Sequence, residues 1–487
     1  MRKPNIVLIC VDQMRYDCLS IAGHPAVETP HLDALAHGGT RFTQAHTAVA
    51  SCIASRVALM TGLSQRTHGR VGYQDGVETN YPVTLAGELS RGGYQTVNIG
   101  KLHVHPQRNP IGFEKSVLHD GVVHYYGADY QSDYESWVRD TYGPDADGLL
   151  GHGITANSWV ARPWHLEETA HPSYWITTKA AEFLQSGRDD RPFFLNLSFV
   201  APHPPLVPPQ CFFDQYLRQD LPAPPVGDWL HKLPLDPQAQ RWTHDTICGI
   251  LDPRAQHRAQ AGYYGLITQI DHQVSRFIEH LMRQGLDHDT LIMFVSDHGE
   301  LLGDHHLFRK TLPYAGSARI PLILRLPPVW REDAARTCDA VVELRDLMPT
   351  LLDAAGLPIP ACVEGASLLP LVRGQKRDLR PYLHGEHSGG ALSNHYIVDG
   401  RYKYIWYSQL GVEQLFDTRE DPQELHDMVE HASQAEHLER LRGHLVRELI
   451  DREEGYSDGQ RLIPGRPAKS VLTTAGTGAP PPRPARP

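Results

Sequence analysis

Four short apolar runs, residues 5–11, 95–99, 193–199 and 291–295, constrain the fold most. Each is too short for a helix and rich in β-branched and aromatic residues, and helical patterns lie between them. They therefore read as buried parallel strands. Residues 30–37 run into Gly38-Gly39 and residues 83–90 into Gly92-Gly93, the pattern of helices stopped by glycine. The clearest helix spans about 259–283, where Tyr263, Leu266, Ile267, Ile270, Val274, Phe277, Ile278 and Leu281 keep a 3.6-residue period. Strands alternating with helices predict an α/β domain with a large mixed, mostly parallel sheet sandwiched by helices.

At 487 residues the chain has room for an appendage to that domain. A charged run at 373–380 marks the expected boundary, which gives a catalytic α/β domain over 1–375. Beyond it, "NHYIVDGRYKYIWY" reads as two strands around an Asp399-Gly400 turn. A helix follows with Leu438, Leu441, Leu445 and Leu449 on one face, so 376–463 is expected to be a small α+β subdomain with an antiparallel sheet. The Pro-rich tail 464–487 has too little apolar content for a core and is expected to be disordered. Residues 202–237 are proline-rich and read as a long ordered excursion over the surface, while 120–175, with Trp137, Trp159, Trp164 and Trp175, is a candidate pocket lining.

A net charge of -11 argues against nucleic acid as a partner, so the positive charge an anionic substrate needs must be concentrated locally. The seven cysteines are scattered, without a C-x-x-C pair, which suits a reducing compartment. The apolar run at 6–11 is too short for a signal peptide and no stretch reaches membrane-spanning length. The expectation is a cytoplasmic protein without a membrane partner.

In open α/β sheets ligands bind beyond the carboxyl ends of the strands. The four runs end there in Asp12-Gln13, Gly100-Lys101-Leu102-His103, Ala201-Pro202-His203-Pro204 and Ser296-Asp297-His298-Gly299. Singly, each ending has a plain explanation: Asp12 could cap a helix, His203 could be a satisfied loop residue and Lys101 could be solvated. Four such endings at one edge of one sheet point to a site. Two carboxylates, Asp12 and Asp297, need a cation to neutralise them. With the Gln13 amide oxygen they suit Ca²⁺ or Mg²⁺, while the nitrogen of His298 keeps Mn²⁺ or Zn²⁺ open. Arg56, Lys101 and Lys310 are cations, and His103 and His203 can carry protons. A tetrahedral anion fits between them.

Cys52 opens a run of good helix formers, Ala54, Arg56, Ala58, Leu59 and Met60, that stops at Gly62. Its place near a helix N-terminus favours an anion and a lowered thiol pKa. A small buried thiol explains the position equally well. A thiolate nucleophile is a third reading, although it expects a histidine base rather than a neighbouring divalent metal.

"CIASR" (Cys52–Arg56) fits the C-x-[P/A]-x-R pattern of the type I sulfatases of the alkaline phosphatase superfamily, which the chain resembles. "PNIVLICVDQMRYD", "TPHLDALAHGGTRFTQAHT", "TLAGELSRGGYQTVNIGKLHVH", "FVAPHPP", "SDHGELLGDHHLFRK" and "FDTREDPQELHDM" look like further blocks of that family in its usual order. The resemblance runs from about Pro4 to Met428 and implies an alkaline-phosphatase-like fold and hydrolysis of aryl or carbohydrate sulfate monoesters.

It also implies that a maturation enzyme oxidises Cys52 to formylglycine, an aldehyde whose hydrate carries two hydroxyls on one carbon. One hydroxyl attacks sulfur, and the other, once deprotonated, expels sulfate. Carried over position by position, Asp12, Gln13, Asp297 and His298 would bind the metal, Ca²⁺ by analogy, together with the modified Cys52. Arg56 and Lys101 would hold the hydrate and His103 would take its proton. His203 and Lys310 would contact the sulfate and protonate the leaving oxygen.

Gln13 and His298 stand where many members have aspartate and asparagine, Ala54 where many have proline, and Leu102 where an aromatic is usual. His305 and His306 read as loop residues. The nearest rival is a phosphonate monoester or phosphodiester hydrolase with the same formylglycine. That family tends to replace the Lys and His of the G-K-x-H block, which are intact here as Lys101 and His103. A silent sulfate- or glycan-binding protein with an unmodified Cys52 is the rival from another class. A two-zinc phosphatase expects a Ser or Thr nucleophile and fits poorly.

Overall fold

All eight residues of β1 (Asn5–Asp12) are buried. Ile6, Leu8 and Cys10 enter one hydrophobic layer and Val7, Ile9 and Val11 another, so both faces of the strand must be covered. Each such apolar side chain stabilises the fold by about 1.5–3 kcal/mol relative to exposure. The computed structural model describes residues 3–121, 132–149, 151–239, 243–330 and 337–473. It satisfies β1 by giving it a parallel neighbour on each side.

The remaining strands of this sheet are β2 (Thr40–His46), β3 (Gln95–Gly100), β4 (Lys115–Leu118), β5 (Phe193–Pro202), β6 (Thr290–Ser296), β7 (Leu322–Arg325) and β8 (Thr337–Glu343). Their spatial order is β4-β3-β5-β1-β6-β7-β2-β8. Only β7 runs antiparallel to its neighbours; the other pairs are parallel. The mixed, mostly parallel sheet read from the sequence is therefore the observed one. Its four most apolar runs are the adjacent central strands β3, β5, β1 and β6.

Helices cover both faces. Helix Pro253–Arg283 is about 46 Å long at 1.5 Å per residue. Pro253 sits at its first position and the Asp252 carboxylate accepts the Arg254 N–H at 2.9 Å, a well-formed start. Its apolar stripe packs with helices Pro30–His37 and Pro172–Glu182 against the face carrying Val7, Ile9 and Val11. Helices Cys52–Thr61, Leu85–Arg91 and Leu347–Ala354 cover the other face. No helix among the described residues is long and apolar enough to cross a membrane.

The expected hairpin forms the middle of a second, antiparallel sheet. β9 (Leu383–His387), β10 (Asn394–Val398), β11 (Tyr402–Tyr407) and β12 (Val412–Asp417) lie in the order β12-β11-β10-β9. Leu441 and Leu445 of helix Ala435–Glu448, with Leu449 just beyond it, bury against Ile397, Tyr404 and Trp406.

Two expectations do not hold. Segment 202–237 is more than a surface excursion, because it forms helix Gln210–Leu217 and turns Trp229 inward. The Trp229 ring stacks on Tyr314 with centroids 4.2 Å apart, and its Nε1–H donates to the Glu424 carbonyl at 2.6 Å. The first part of the tail, 464–473, is ordered. Val71 N–H donates to the Ser470 carbonyl at 3.0 Å, Leu472 N–H donates to that of Gly69 at 2.8 Å, and Leu472 is buried. Too apolar-poor to build its own core, this stretch docks on one already formed. Residues 474–487 of the tail lie outside the described residues.

Arg452 ties β9 to the segment after the last helix. Its two terminal nitrogens each donate to the Glu386 carboxylate at 2.9 Å, with both side chains buried. Burial pushes the Glu386 carboxyl up, but Arg452 outweighs it and holds the pKa at about 2 instead of 4.5. The ionised form therefore contributes stability that is fully present above pH 4.5 and lost as pH falls through about 2. A depression of this size is worth about 3 kcal/mol. Glu386→Gln is expected to flatten the stability curve between those pH values in chemical denaturation. Curves for variant and wild type that run parallel would refute the role of the pair.

Candidate active site

Because β3, β5, β1 and β6 are adjacent and parallel, their carboxyl ends emerge side by side. Asp12 at the end of β1 is paired in register with Pro202 of β5, one residue before His203. Asp297 N–H donates to the Val11 carbonyl at 3.1 Å, which places Asp297 next to Asp12. Lys101 follows Gly100, whose φ of +105° and 1.8 Å clearance between a notional Cβ and the Ser198 carbonyl admit only glycine. Lys101 N–H then donates to that carbonyl at 2.9 Å. One Asp120 oxygen accepts the N–H groups of Leu102 and His103 at 2.7 and 2.9 Å, holding His103 at a φ of +59°.

Helix Cys52–Thr61, buried along its whole length, closes the site from the side. Cys52 and Arg56 are four residues apart and share a helix face. Arg56 Nε donates to Asp297 at 2.9 Å, one Nη donates to Ser198 Oγ at 3.0 Å, and the other lies 3.6 Å from Asp12. The Lys101 ammonium sits 2.5 Å from Asp12. Cys52 Sγ is 3.0 Å from His298 Nε2 and 3.7 Å from Asp12.

The charges of the site act on one another strongly. Burial and the neighbouring Cys52 push the Asp12 carboxyl up, yet Lys101, His203 and His298 outweigh them and hold it below the usual carboxylate range. Burial and the adjacent Asp12 raise Asp297. Burial would raise the Cys52 thiol, but Lys310, Lys101 and His298 bring it well below its ordinary value. The position of Cys52 is thus one where the protein favours negative charge.

His203 Nδ1–H donates to the Pro204 carbonyl at 2.6 Å, so Nε2 is the acceptor for the Lys310 ammonium 2.9 Å away. His103 lies at the ion-pair distance of 3.7 Å from Asp75. Burial and Lys101 lower its pKa, but Asp75 and Cys52 favour the charged ring and raise it overall.

Cys52, Lys101, His103, His203 and Lys310 line a cavity of about 300 Å³ together with Ser51, Tyr73, Asp120, Gly121, Ala156, Asn157, Val200, Ile247, Arg309 and Thr311. Segment 120–175 contributes Asp120, Gly121, Ala156 and Asn157. Its tryptophans do not line the cavity: Trp137, Trp159 and Trp175 pack in or on the main core and Trp164 packs with Leu149 and Ile154. Residues 122–131 and 150 of that segment lie outside the described residues. His305, as expected of a loop residue, accepts the Gly227 N–H at 3.0 Å and packs on Trp229. Tyr73, Asp120, Glu300 and Arg309 carry no spacing signal and were not found from the sequence.

The donor set suits a divalent cation. Single ligand atoms of Asp12, Cys52, Asp297 and His298 lie within 4.8 Å of one another, all buried. His298 Nδ1–H donates to the Gly299 carbonyl at 3.0 Å, which leaves Nε2 as the atom facing Cys52, Asp12 and Asp297, and a metal would bind there in place of the Nε2 proton. That backbone anchor is the usual support of a metal-binding histidine. The amide oxygen of Gln13, next in sequence to Asp12, accepts from the Lys310 ammonium.

Comparison with known proteins gives the chain a family. A family model described as Sulfatase matches residues 4–357, and one described as N-sulphoglucosamine sulphohydrolase, C-terminal, matches 303–451. The chain is 46% identical over 479 residues to an arylsulfatase of Clostridium perfringens, covering 96% of this chain and 99% of the relative. It is 31% identical over 444 residues to a choline-sulfatase of Rhizobium meliloti, covering 88% and 83%. Among solved structures, a phosphonate monoester hydrolase of Agrobacterium radiobacter is similar with a TM-score of 0.76 and 26% identity, over 91% of this chain and 95% of that one.

Arg56 is the cation shared by both buried carboxylates. Arg56→Met is expected to lower stability by about 3–5 kcal/mol, read by denaturant unfolding. Divalent cations are expected to restore part of that loss. A variant as stable as wild type without added cations would show that Lys101 alone balances Asp12 and Asp297.

Proposed function

The chain belongs to the sulfatase family and is a hydrolase of sulfate esters; we propose that it works through an oxygen nucleophile made from Cys52. The observation that carries this reading is the setting of Cys52, a buried side chain between two carboxylates, a histidine and two lysines. Oxidation to formylglycine by a maturation enzyme would supply there an aldehyde hydrate, a geminal diol that attacks sulfur without leaving a stable sulfated residue. The side chains of Asp12, Gln13, Asp297 and His298, with the modified Cys52, would hold one divalent cation. That cation would supply Lewis-acid charge for the sulfate oxygens and the nucleophile. We assign it as Ca²⁺, because oxygen donors predominate, with Mg²⁺ or Mn²⁺ as the alternatives.

In this reading Arg56 and Lys101 orient the nucleophile, and His103 accepts its remaining proton when sulfate leaves. His203 and Lys310 bind the sulfate, and the hydrogen bond between them lets a proton pass to the leaving oxygen. The organic part of the ester, aryl or carbohydrate, would lie against Tyr73, Ala156, Val200 and Ile247. We assign the chemistry to residues 1–375, with 376–463 as a supporting subdomain. All seven cysteines are free, which favours a cytoplasmic setting.

Mass spectrometry of the Cys52 peptide, from protein made in a maturation-competent host, is expected to show the aldehyde. An unmodified thiol in active protein would sink the mechanism. Cys52→Ala is expected to abolish turnover while leaving the circular dichroism spectrum unchanged.

Similarity to a phosphonate monoester hydrolase favours a second reading, in which the same site cleaves phosphonate monoesters or phosphodiesters. Lys101 and His103, intact in the G-K-x-H block, weigh for sulfate. The kcat/KM for an aryl sulfate is expected to exceed that for the matching aryl phosphonate monoester; the reverse order would establish the second reading.

A further inference from the structure

Gln13 is held in an unusual way. Its backbone is left-handed, with φ +72°. The N–H donates to Asp297 at 3.1 Å and the carbonyl accepts the Tyr263 hydroxyl at 2.6 Å. A strained backbone tied at both groups leaves only the side-chain amide to be oriented. One end of that amide meets Lys310 and the other meets Glu300.

An ammonium can only donate and a carboxylate can only accept. Between these two partners the amide has one permitted orientation: Oε1 towards Lys310 and Nε2–H towards Glu300. Glu300 is buried at 4% exposure. Its second oxygen accepts the backbone N–H groups of Leu302 and Arg309 at 2.9 and 2.5 Å. One carboxylate therefore sets the amide of Gln13 and closes the loop that delivers Lys310 to the site.

We propose that Glu300 is a positioning residue that aims the Gln13 amide oxygen, rather than its NH₂ group, at the divalent cation. The inference rests on the metal-binding reading of the site. The oxygen face is the one the fold presents to positive charge, since it already receives Lys310. Without an acceptor behind Nε2, the amide could turn and offer the cation two donor hydrogens.

Glu300→Gln separates this role from simple loop support. The glutamine carbonyl still accepts the N–H groups of Leu302 and Arg309, but its NH₂ now faces the NH₂ of Gln13. The match fails only at Gln13. A reciprocal change repairs it: in the double variant Glu300→Gln/Gln13→Glu, the new amide donates to one oxygen of the new carboxylate and leaves the other for the cation.

The test is Mn²⁺ titration of chelator-stripped full-length protein, with free ion followed by electron paramagnetic resonance and folding by thermal denaturation. Glu300→Gln is expected to weaken Mn²⁺ binding about 10–100-fold with little change in Tm. The double variant is expected to recover most of that affinity. Wild-type affinity in a folded Glu300→Gln protein would overturn the proposal while leaving the metal site standing. Absence of Mn²⁺ binding by the wild type would overturn the metal reading and the proposal with it. Should Glu300→Gln not fold, the double variant decides alone: near-wild-type affinity supports the matched pair, and lost affinity in a folded double variant overturns it.

Discussion

Two carboxylates buried side by side, Asp12 and Asp297, are the arrangement on which the rest of the site depends. They stand at the ends of adjacent strands because β1 and β6 are parallel neighbours in register, Val11 opposite Ser296. Leaving two such ions uncompensated in a dry interior would cost several kcal/mol each. Arg56, Lys101 and the proposed cation supply the balance. The positions of helix Cys52–Thr61 and of the turn after β3 follow from that requirement. Arg56 reaches both carboxylates from one helix turn beyond Cys52, so the residue that neutralises the pair also sets the distance of Cys52, the proposed nucleophile position, from it.

The strands and their endings were legible because central parallel strands bury both faces and leave uninterrupted apolar runs. Asp12, Lys101, His203 and Asp297 could be grouped from such runs, since polar residues at the carboxyl ends of parallel strands share one edge. The order β3-β5-β1-β6 was not legible: nothing local in residues 95–100 says that they pair with 193–202. The same limit hid Glu300, whose partner Gln13 lies 287 positions away, and Asp75, which meets His103 from an unrelated loop. It also hid the docking of 464–473. Low apolar content shows that a segment cannot make a core, but not that it lacks one to lie on. Trp229 makes the opposite point, since a proline-rich stretch can carry a single ring that fills a space elsewhere.

The charge of the site limits its substrates without choosing among them. The cations Arg56, Lys101, Lys310 and Arg309 face the carboxylates Asp12, Asp297, Asp75, Asp120 and Glu300, so the protein groups alone leave no formal positive excess, in keeping with a chain whose net charge is -11. Gln13, where many sulfatases have aspartate, and His298, where many have asparagine, add no negative charge to that balance. The proposed divalent cation would supply the positive excess that an anionic ester needs. Sulfate monoesters, phosphonate monoesters and phosphodiesters each bring one negative charge, so the Coulomb term admits all three.

Shape divides them. A sulfate ester has one organic substituent and three terminal oxygens. The other two have a second substituent and only two terminal oxygens. Among the described residues the cavity is lined by apolar Ala156, Val200 and Ile247 with Tyr73, and by cationic Lys101, Arg309 and Lys310. In the proposed site Lys101 and His103 would favour the substrate with the most oxygens to present, so a preference for sulfate would come from the count of donors rather than from the net charge.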